Sequence, residues 1–106
     1  MNLIMVEKSL RMLGLATRAG KVITGAELVS KALQNKKIHL IILANDAKES
    51  TAKLFFGSNV PVVRLGDKET LGKMTGKAIR SVAGITDKNF AEVILKEAGN
   101  SNVTEN

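Results

Sequence analysis

From Leu40 to Ala44 the chain reads Leu-Ile-Ile-Leu-Ala without a polar side chain, preceded by His39. A strand wetted on one face alternates apolar and polar residues. An unbroken apolar run of this length suits a strand covered on both faces. A chain holding such a strand must supply helices to both sides of a sheet, and its neighbours do so. Residues 9–19 read as the end of a first helix, with Leu10, Leu13 and Leu15 apolar and Gly20 placed to close it. Val22-Ile23 is a short strand. Thr24-Gly25-Ala26-Glu27 has the form of a capping box, with Thr24 the cap. The helix that follows puts Leu28, Val29, Ala32 and Leu33 on an apolar side, and Glu27, Ser30, Lys31 and Gln34 on a polar one. Further on, residues 47–56 read as a helix and residues 60–63 as a strand, with Pro61 near its start. Residues 68–77 read as a helix, 82–85 as a strand, and 87–98 as a final helix capped by Asp87. Alternation of this kind predicts an α/β layered fold, helices on both faces of a small sheet. A length of 106 residues fits a single domain over 1–98, and the polar end GNSNVTEN, 99–106, reads as a disordered tail.

Within LGDKETLGKMTGKAIRSVAGI, Gly72 and Gly76 fall in a stretch that otherwise holds good helix formers. Each glycine inside a helix costs about 1 kcal/mol relative to alanine. The pair therefore predicts that another backbone, a strand or an RNA, comes close to this helix.

Charge is segregated along the chain. Residues 8–37 hold seven basic side chains and one acid, and residues 64–80 hold five against two. The remainder has four basic and seven acidic residues, so two basic segments sit on an otherwise acidic body. One electropositive face of this sort attracts polyanions. Aromatic residues make up only 3% of the chain, which argues against rows of base-stacking rings.

Catalytic patterns are missing. The chain has no cysteine and one histidine, His39, with no second histidine or nearby aspartate to complete a triad or a metal site. GKMTGKA has three residues between its glycines and Ala78 after Lys77, so it fails as a phosphate loop. Asp46, at the end of the apolar strand, reads as a turn or capping residue. The N-terminus does not read as a signal peptide, and no apolar run approaches the roughly 20 residues a bilayer needs. A cytoplasmic, non-enzymatic protein is expected, without cofactor, metal, membrane or small-molecule substrate.

Four strings, LGLATRAGKVITGAELVSKAL, NKKIHLIILANDA, VPVVRLGDKETLGKMTGK and RSVAGITD, occur in this order. Together they resemble the kink-turn RNA-binding ribosomal protein superfamily, of the large-subunit seven-Ae and thirty-e type, and within it the small bacterial YlxQ-like branch. The resemblance covers about residues 9–97. It implies a three-layer α/β/α sandwich around a four-stranded mixed sheet. It also implies a monomer that binds structured RNA in the ribosome or during its assembly. The family motif that opens the second helix falls here on Gly25, Ala26, Glu27, Leu28 and Lys31. Gly25 would let helix N–H groups approach RNA, and Lys31 would lie near a phosphate or a guanine edge. Lys37 matches a lysine that faces the RNA backbone. Arg80, Ser81, Val82 and Ala83 match an apolar loop that packs against an extruded nucleotide.

The chain departs from the family where relatives read the guanines of sheared G·A pairs. Its pair there is Glu27-Leu28. Leu28 cannot bond a base edge and falls on the apolar side of the helical wheel. Glu27 can accept from guanine N1 and N2, or can serve as a capping-box residue and as the i, i+4 partner of Lys31. A protein-interaction module on the same fold, its basic surface meeting an acidic protein, is the other reading.

Overall fold

The computed structural model describes residues 3–98 and 103–104. The order is α1 (Leu3–Arg18), β1 (Val22–Thr24), α2 (Ala26–Gln34), β2 (Leu40–Leu43), α3 (Glu49–Lys53), β3 (Val62–Arg64), α4 (Lys68–Met74), β4 (Val82–Ile85), α5 (Lys88–Ala98) and β5 (Val103–Thr104). The strands lie in the order β1-β4-β2-β3-β5. β2 and β3 run parallel, and β4 is antiparallel to both β1 and β2. The expected mixed sheet of four strands thus gains a two-residue fifth, antiparallel to β3. That strand falls within the stretch expected to be a disordered tail; residues 99–102 and 105–106 lie outside the described residues.

All four residues of β2 are fully buried, as the apolar run demands. Alternate side chains serve alternate layers. Leu40 and Ile42 join Leu13 of α1, Leu71 of α4 and Ile94 of α5. Ile41 and Leu43 join Val29 and Ala32 of α2, Ala52 of α3 and Phe55 just beyond it. Burying each such Leu or Ile contributes about 1.5–3 kcal/mol, so the strand is held equally from both sides. Gly84 in β4 leaves the space in which Ile38 and Val29 approach the sheet: a Cβ there would lie 2.7 Å from Ile38 Cδ1 and 3.2 Å from Val29 Cγ1.

Several expected boundaries move. The helix expected over 47–56 shortens to α3, Glu49–Lys53. α4 ends at Met74, so Gly76 lies beyond it rather than inside. Its φ of +75° puts it in the left-handed region that only glycine enters freely. The Lys77 N–H returns to the Gly72 carbonyl (2.7 Å) and the Gly76 N–H to that of Lys73 (3.2 Å), the pattern that closes a helix on a glycine. The chain then doubles back over Gly72. A Cβ at Gly72 would lie 2.6 Å from the Ala78 carbonyl oxygen and 2.8 Å from the Ile79 nitrogen. The close backbone predicted for this helix is therefore the protein's own segment 78–79.

At the start of α5, Asp87 caps as expected, accepting from the Phe90 N–H at 2.9 Å. The capping box at α2 does not form. Thr24 is held in β1 opposite Ala83, and the helix starts one residue later from Gly25, with φ +96° and no side-chain cap.

Candidate nucleic-acid interface

The strand directions bring five segments to one end of the sheet. β1, β2 and β3 finish there and β4 begins there. The segments are the start of α2, residues 44–46 after β2, Arg64, the start of α4, and residues 79–81. Hydrogen bonds tie them together. The Gly25 N–H donates to the Val82 carbonyl (3.1 Å), the Ala44 N–H to Ser81 (2.8 Å), and the Asn45 N–H to Gly66 (2.7 Å). Arg80 is fixed twice: its N–H donates to the Lys68 carbonyl (3.0 Å), and its Nε to the Thr24 hydroxyl (3.1 Å). Its Nη1 also donates to the Ile79 carbonyl at 2.7 Å. Arg64 Nη1 donates to the Ala44 carbonyl (3.1 Å), and its guanidinium lies 5.7 Å from the centre of the Phe56 ring.

Three helices, α2, α3 and α4, follow the strands that finish at this end; α2 and the five-residue α3 have no side-chain cap, whereas α4 has one. Asp67 caps α4, accepting from the Thr70 N–H at 2.8 Å, while Asp46 accepts from the Lys68 N–H at 2.8 Å. The Thr70 backbone N–H, and then its side chain, hold the Asp67 carboxyl below the usual carboxylate range. Asp46 is thus a helix-start acceptor, in keeping with its reading as a turn or capping residue. α2 has no such acceptor. Its Gly25 carries no side chain and no side-chain cap bond is made to its first turn, where the helix dipole favours negative charge.

The structure sorts the residues named from the sequence into three groups. Gly25, Ala26, Glu27, Arg80 and Ser81 meet at the sheet end. Lys31 and Lys37 lie along α2 and beyond its far end, in a groove of about 220 Å³ with Ile23, Leu28, Ala32 and Asn35. Val82 and Ala83 are fully buried in β4 and offer no surface to a nucleotide. They belong to the strand because their side chains alternate between the two cores. The exposed apolar residue of this segment is Ile79, 58% exposed, immediately before Arg80. Its sequence signal is Gly76 read as a helix terminator, which turns 77–79 into a loop. Lys68, at the same end through its bonds to Asp46 and Arg80, is a second addition.

Leu28 is also corrected. It is 60% exposed, not part of the core. Val29 and Ala32 take the face of α2 over the sheet, and Leu28 falls toward β1, which pairs only with β4. β1 is the edge strand, which leaves the side chain mostly exposed. Glu27 and Lys31 are both exposed, and no ion pair joins them among the described residues. His39 is exposed, and no group of metal-binding side chains occurs among the described residues. Among them, too, no helix is long and apolar enough to cross a membrane.

A mixed sheet lies between two helical layers, and at one sheet end an uncapped helix start stands beside an anchored arginine. Residues 7–95 match the Ribosomal protein L7Ae/L30e/S12e/Gadd45 family, and the chain belongs to that family. It is 36% identical over 88 residues to the RNA-binding protein YlxQ of Bacillus subtilis, covering 79% of this chain and 88% of that one. It is 39% identical over 90 residues to the RNA-binding protein YlxQ of Enterococcus faecium, covering 81% and 86%. A Bacillus halodurans protein of unknown function superposes with a TM-score of 0.82 at 37% identity, over 86% of this chain and 96% of that one. The Giardia lamblia 15.5kD RNA binding protein superposes with a TM-score of 0.75 over 93% and 88%, and at 23% identity it speaks for the fold alone.

Proposed function

We propose that this protein is a non-catalytic, monomeric, cytoplasmic RNA-binding protein of the ribosome or its assembly. Its target is structured, kink-turn-like RNA, held at the sheet end formed by Gly25–Leu28 and Ile79–Ser81. The observation that carries this reading is the uncapped start of α2 beside the doubly anchored Arg80. An uncapped helix start and a fixed guanidinium suit phosphate oxygens, with Glu27 in the same first turn as the one carboxylate they must avoid. The names of the two YlxQ relatives support the same partner. Lys31, Lys37 and Lys68 add the counterion-releasing charge that RNA binding uses. Recovering RNA crosslinked to the protein in cells, and mapping where it was bound, tests the ribosomal assignment. Fragments clustered at one structured ribosomal site are expected; protein partners that survive nuclease treatment, with no enriched RNA, would favour the acidic-protein reading.

Kink-turn preference is set by Glu27 and Leu28. Losing a bidentate base contact removes about 1–3 kcal/mol of discrimination, so shape and backbone contacts carry most of the selection. A standard kink-turn should bind only modestly better than the same RNA with its G·A pairs replaced. A preference of a hundredfold, about 2.7 kcal/mol, would mean that Glu27 or the helix N–H groups read the guanines. Because Leu28 is exposed, Glu27→Asn with Leu28→Glu should leave stability within about 0.5 kcal/mol and sharpen the preference.

A further inference from the structure

At the end of the sheet opposite the proposed RNA site, the strand directions gather cations. β1, β2 and β3 begin there and β4 finishes there. Arg18 closes α1, Lys21 precedes β1, Lys36 and Lys37 follow α2, and Lys88 opens α5. Hydrogen bonds fix the backbone between them. The Thr86 N–H donates to the Lys21 carbonyl (2.9 Å), the Lys37 N–H to that of Ala32 (2.9 Å), and the His39 N–H to that of Ile85 (2.8 Å). All five cationic side chains are exposed, and among the described residues none of them makes a hydrogen bond or an ion pair. Two carboxylates lie nearby. Asp87 is taken up by the Phe90 N–H, and Glu92 shares a pocket of about 180 Å³ with His39 and Lys88. At the proposed RNA end, Glu27, Asp46 and Asp67 balance Arg64, Lys68 and Arg80. Positive charge is therefore in excess at the opposite end.

Helix ends account for some of these cations and not for others. Arg18 ends α1, where the dipole favours positive charge, but Lys88 starts α5, where the dipole disfavours it. Lys36 takes φ +60°, a conformation that strains a lysine and that Gly76 adopts freely in the equivalent place after α4. Cations at two positions where the local structure disfavours them point to something outside the chain that they meet.

We infer that this opposite end binds the phosphate backbone of a second RNA duplex, so that one molecule joins two RNA segments; this rests on the RNA reading above and goes beyond it. Flexible ammonium groups on separate segments meet backbone oxygens without reading base edges, so a regular duplex suffices. A protein partner would need an apolar centre. The exposed large apolar side chains nearest in the chain, Leu15 and Val93, belong to the α1–α5 layer. The four residues of β2 alone hold the two ends roughly 13 Å apart. That exceeds the screening length of about 8 Å at physiological salt, so the two contacts act independently.

The test uses the full chain, saturated with a hairpin RNA that has an internal loop, and a short, plain RNA duplex carrying a fluorescent label. Native mass spectrometry should show one protein with one hairpin and one duplex. Lys21→Ala, Lys36→Gly and Lys88→Ala together should weaken duplex binding to the loaded protein about tenfold or more, with a salt slope smaller by about two to three units. Hairpin affinity should stay within about twofold, because those charges are screened from the other end. The melt should be no lower, since the three side chains are exposed and Lys36→Gly relieves strain. Lys8→Ala, Arg11→Ala and Lys96→Ala, an equal loss of charge on the α1–α5 layer, should leave duplex binding nearly unchanged. The inference is overturned if the loaded protein takes no duplex, if the duplex displaces the hairpin, or if the two triple variants weaken duplex binding equally. It is also overturned if a polyglutamate peptide binds this end more tightly than the duplex does. Failure of the unaltered protein to bind the hairpin would instead remove the RNA reading itself, and this second contact with it.

Discussion

Segment 79–81 is held from several sides, whereas the outer flank of α2 is exposed among the described residues. Arg80 is bonded to Lys68 and Thr24, Ser81 accepts from Ala44, and the chain just before them lies against a glycine that leaves no room for a Cβ. Across the interface, Glu27, Leu28, Lys31 and Lys37 are exposed. One half of the site is built by packing and fixes shape. In the proposed site, the other half is built by charge and an exposed leucine, and would set what is attracted. Substitutions in the first half should therefore register in stability and binding together, and those in the second in binding alone.

The largest expected effect is at Gly72. A methyl group there meets backbone atoms of Ala78 and Ile79, so Gly72→Ala should destabilise by about 1–3 kcal/mol and, by displacing Ile79 and Arg80, weaken RNA binding too. Denaturant melts with parallel RNA titrations check both. Stabilisation by about 0.4–1 kcal/mol, the result for an unobstructed helical glycine, would dissolve the contrast between the two halves.

Gly76 and Lys36 give a finer comparison, because α4 and α2 end in the same way with different residues. Lys36 stands at φ +60° after α2, its N–H bonded to Leu33 and the following Lys37 N–H to Ala32. Gly76 has the equivalent place after α4. A Cβ at Gly76 would meet nothing within 4 Å, so Gly76→Ala should lose about 1 kcal/mol from backbone strain alone, with RNA binding kept. Lys36→Gly should gain roughly 0.5–1 kcal/mol by relieving the same strain. Thermal melts of the two variants moving in the same direction would contradict this account.

What the sequence could not carry is instructive at particular residues. The apolar run of β2 was legible because burial on both faces leaves no choice of residue. Gly72 was legible as a close approach, but not its partner, since a turn that folds the chain back on itself depends on where α4 stops. A helical wheel puts Leu28 with the core because it shows which residues share a side, not where the sheet beneath them ends. Val82 and Ala83 read as strand from their own residues and are given a loop role only by the family resemblance; β4 lies between β1 and β2, which buries them. Gly25, Glu27, Lys31, Lys37, Arg80 and Ser81 are proposed on the family pattern. Ile79 and Lys68 emerge only once the strand directions bring five segments to one end.

The division of labour between the two halves is tested most directly by the salt dependence of RNA binding. Affinity of the unaltered protein and of the Lys31→Ala, Lys37→Ala double variant would be measured for one structured RNA across a range of salt concentrations. Each phosphate contact contributes roughly 0.7–0.9 to the slope of log affinity against log salt, so the double variant should bind more weakly, with a slope smaller by about one to two units, and with an unchanged melt. An unchanged slope in a variant that folds normally would contradict the account, and would place the RNA, or an acidic protein in its stead, on another surface.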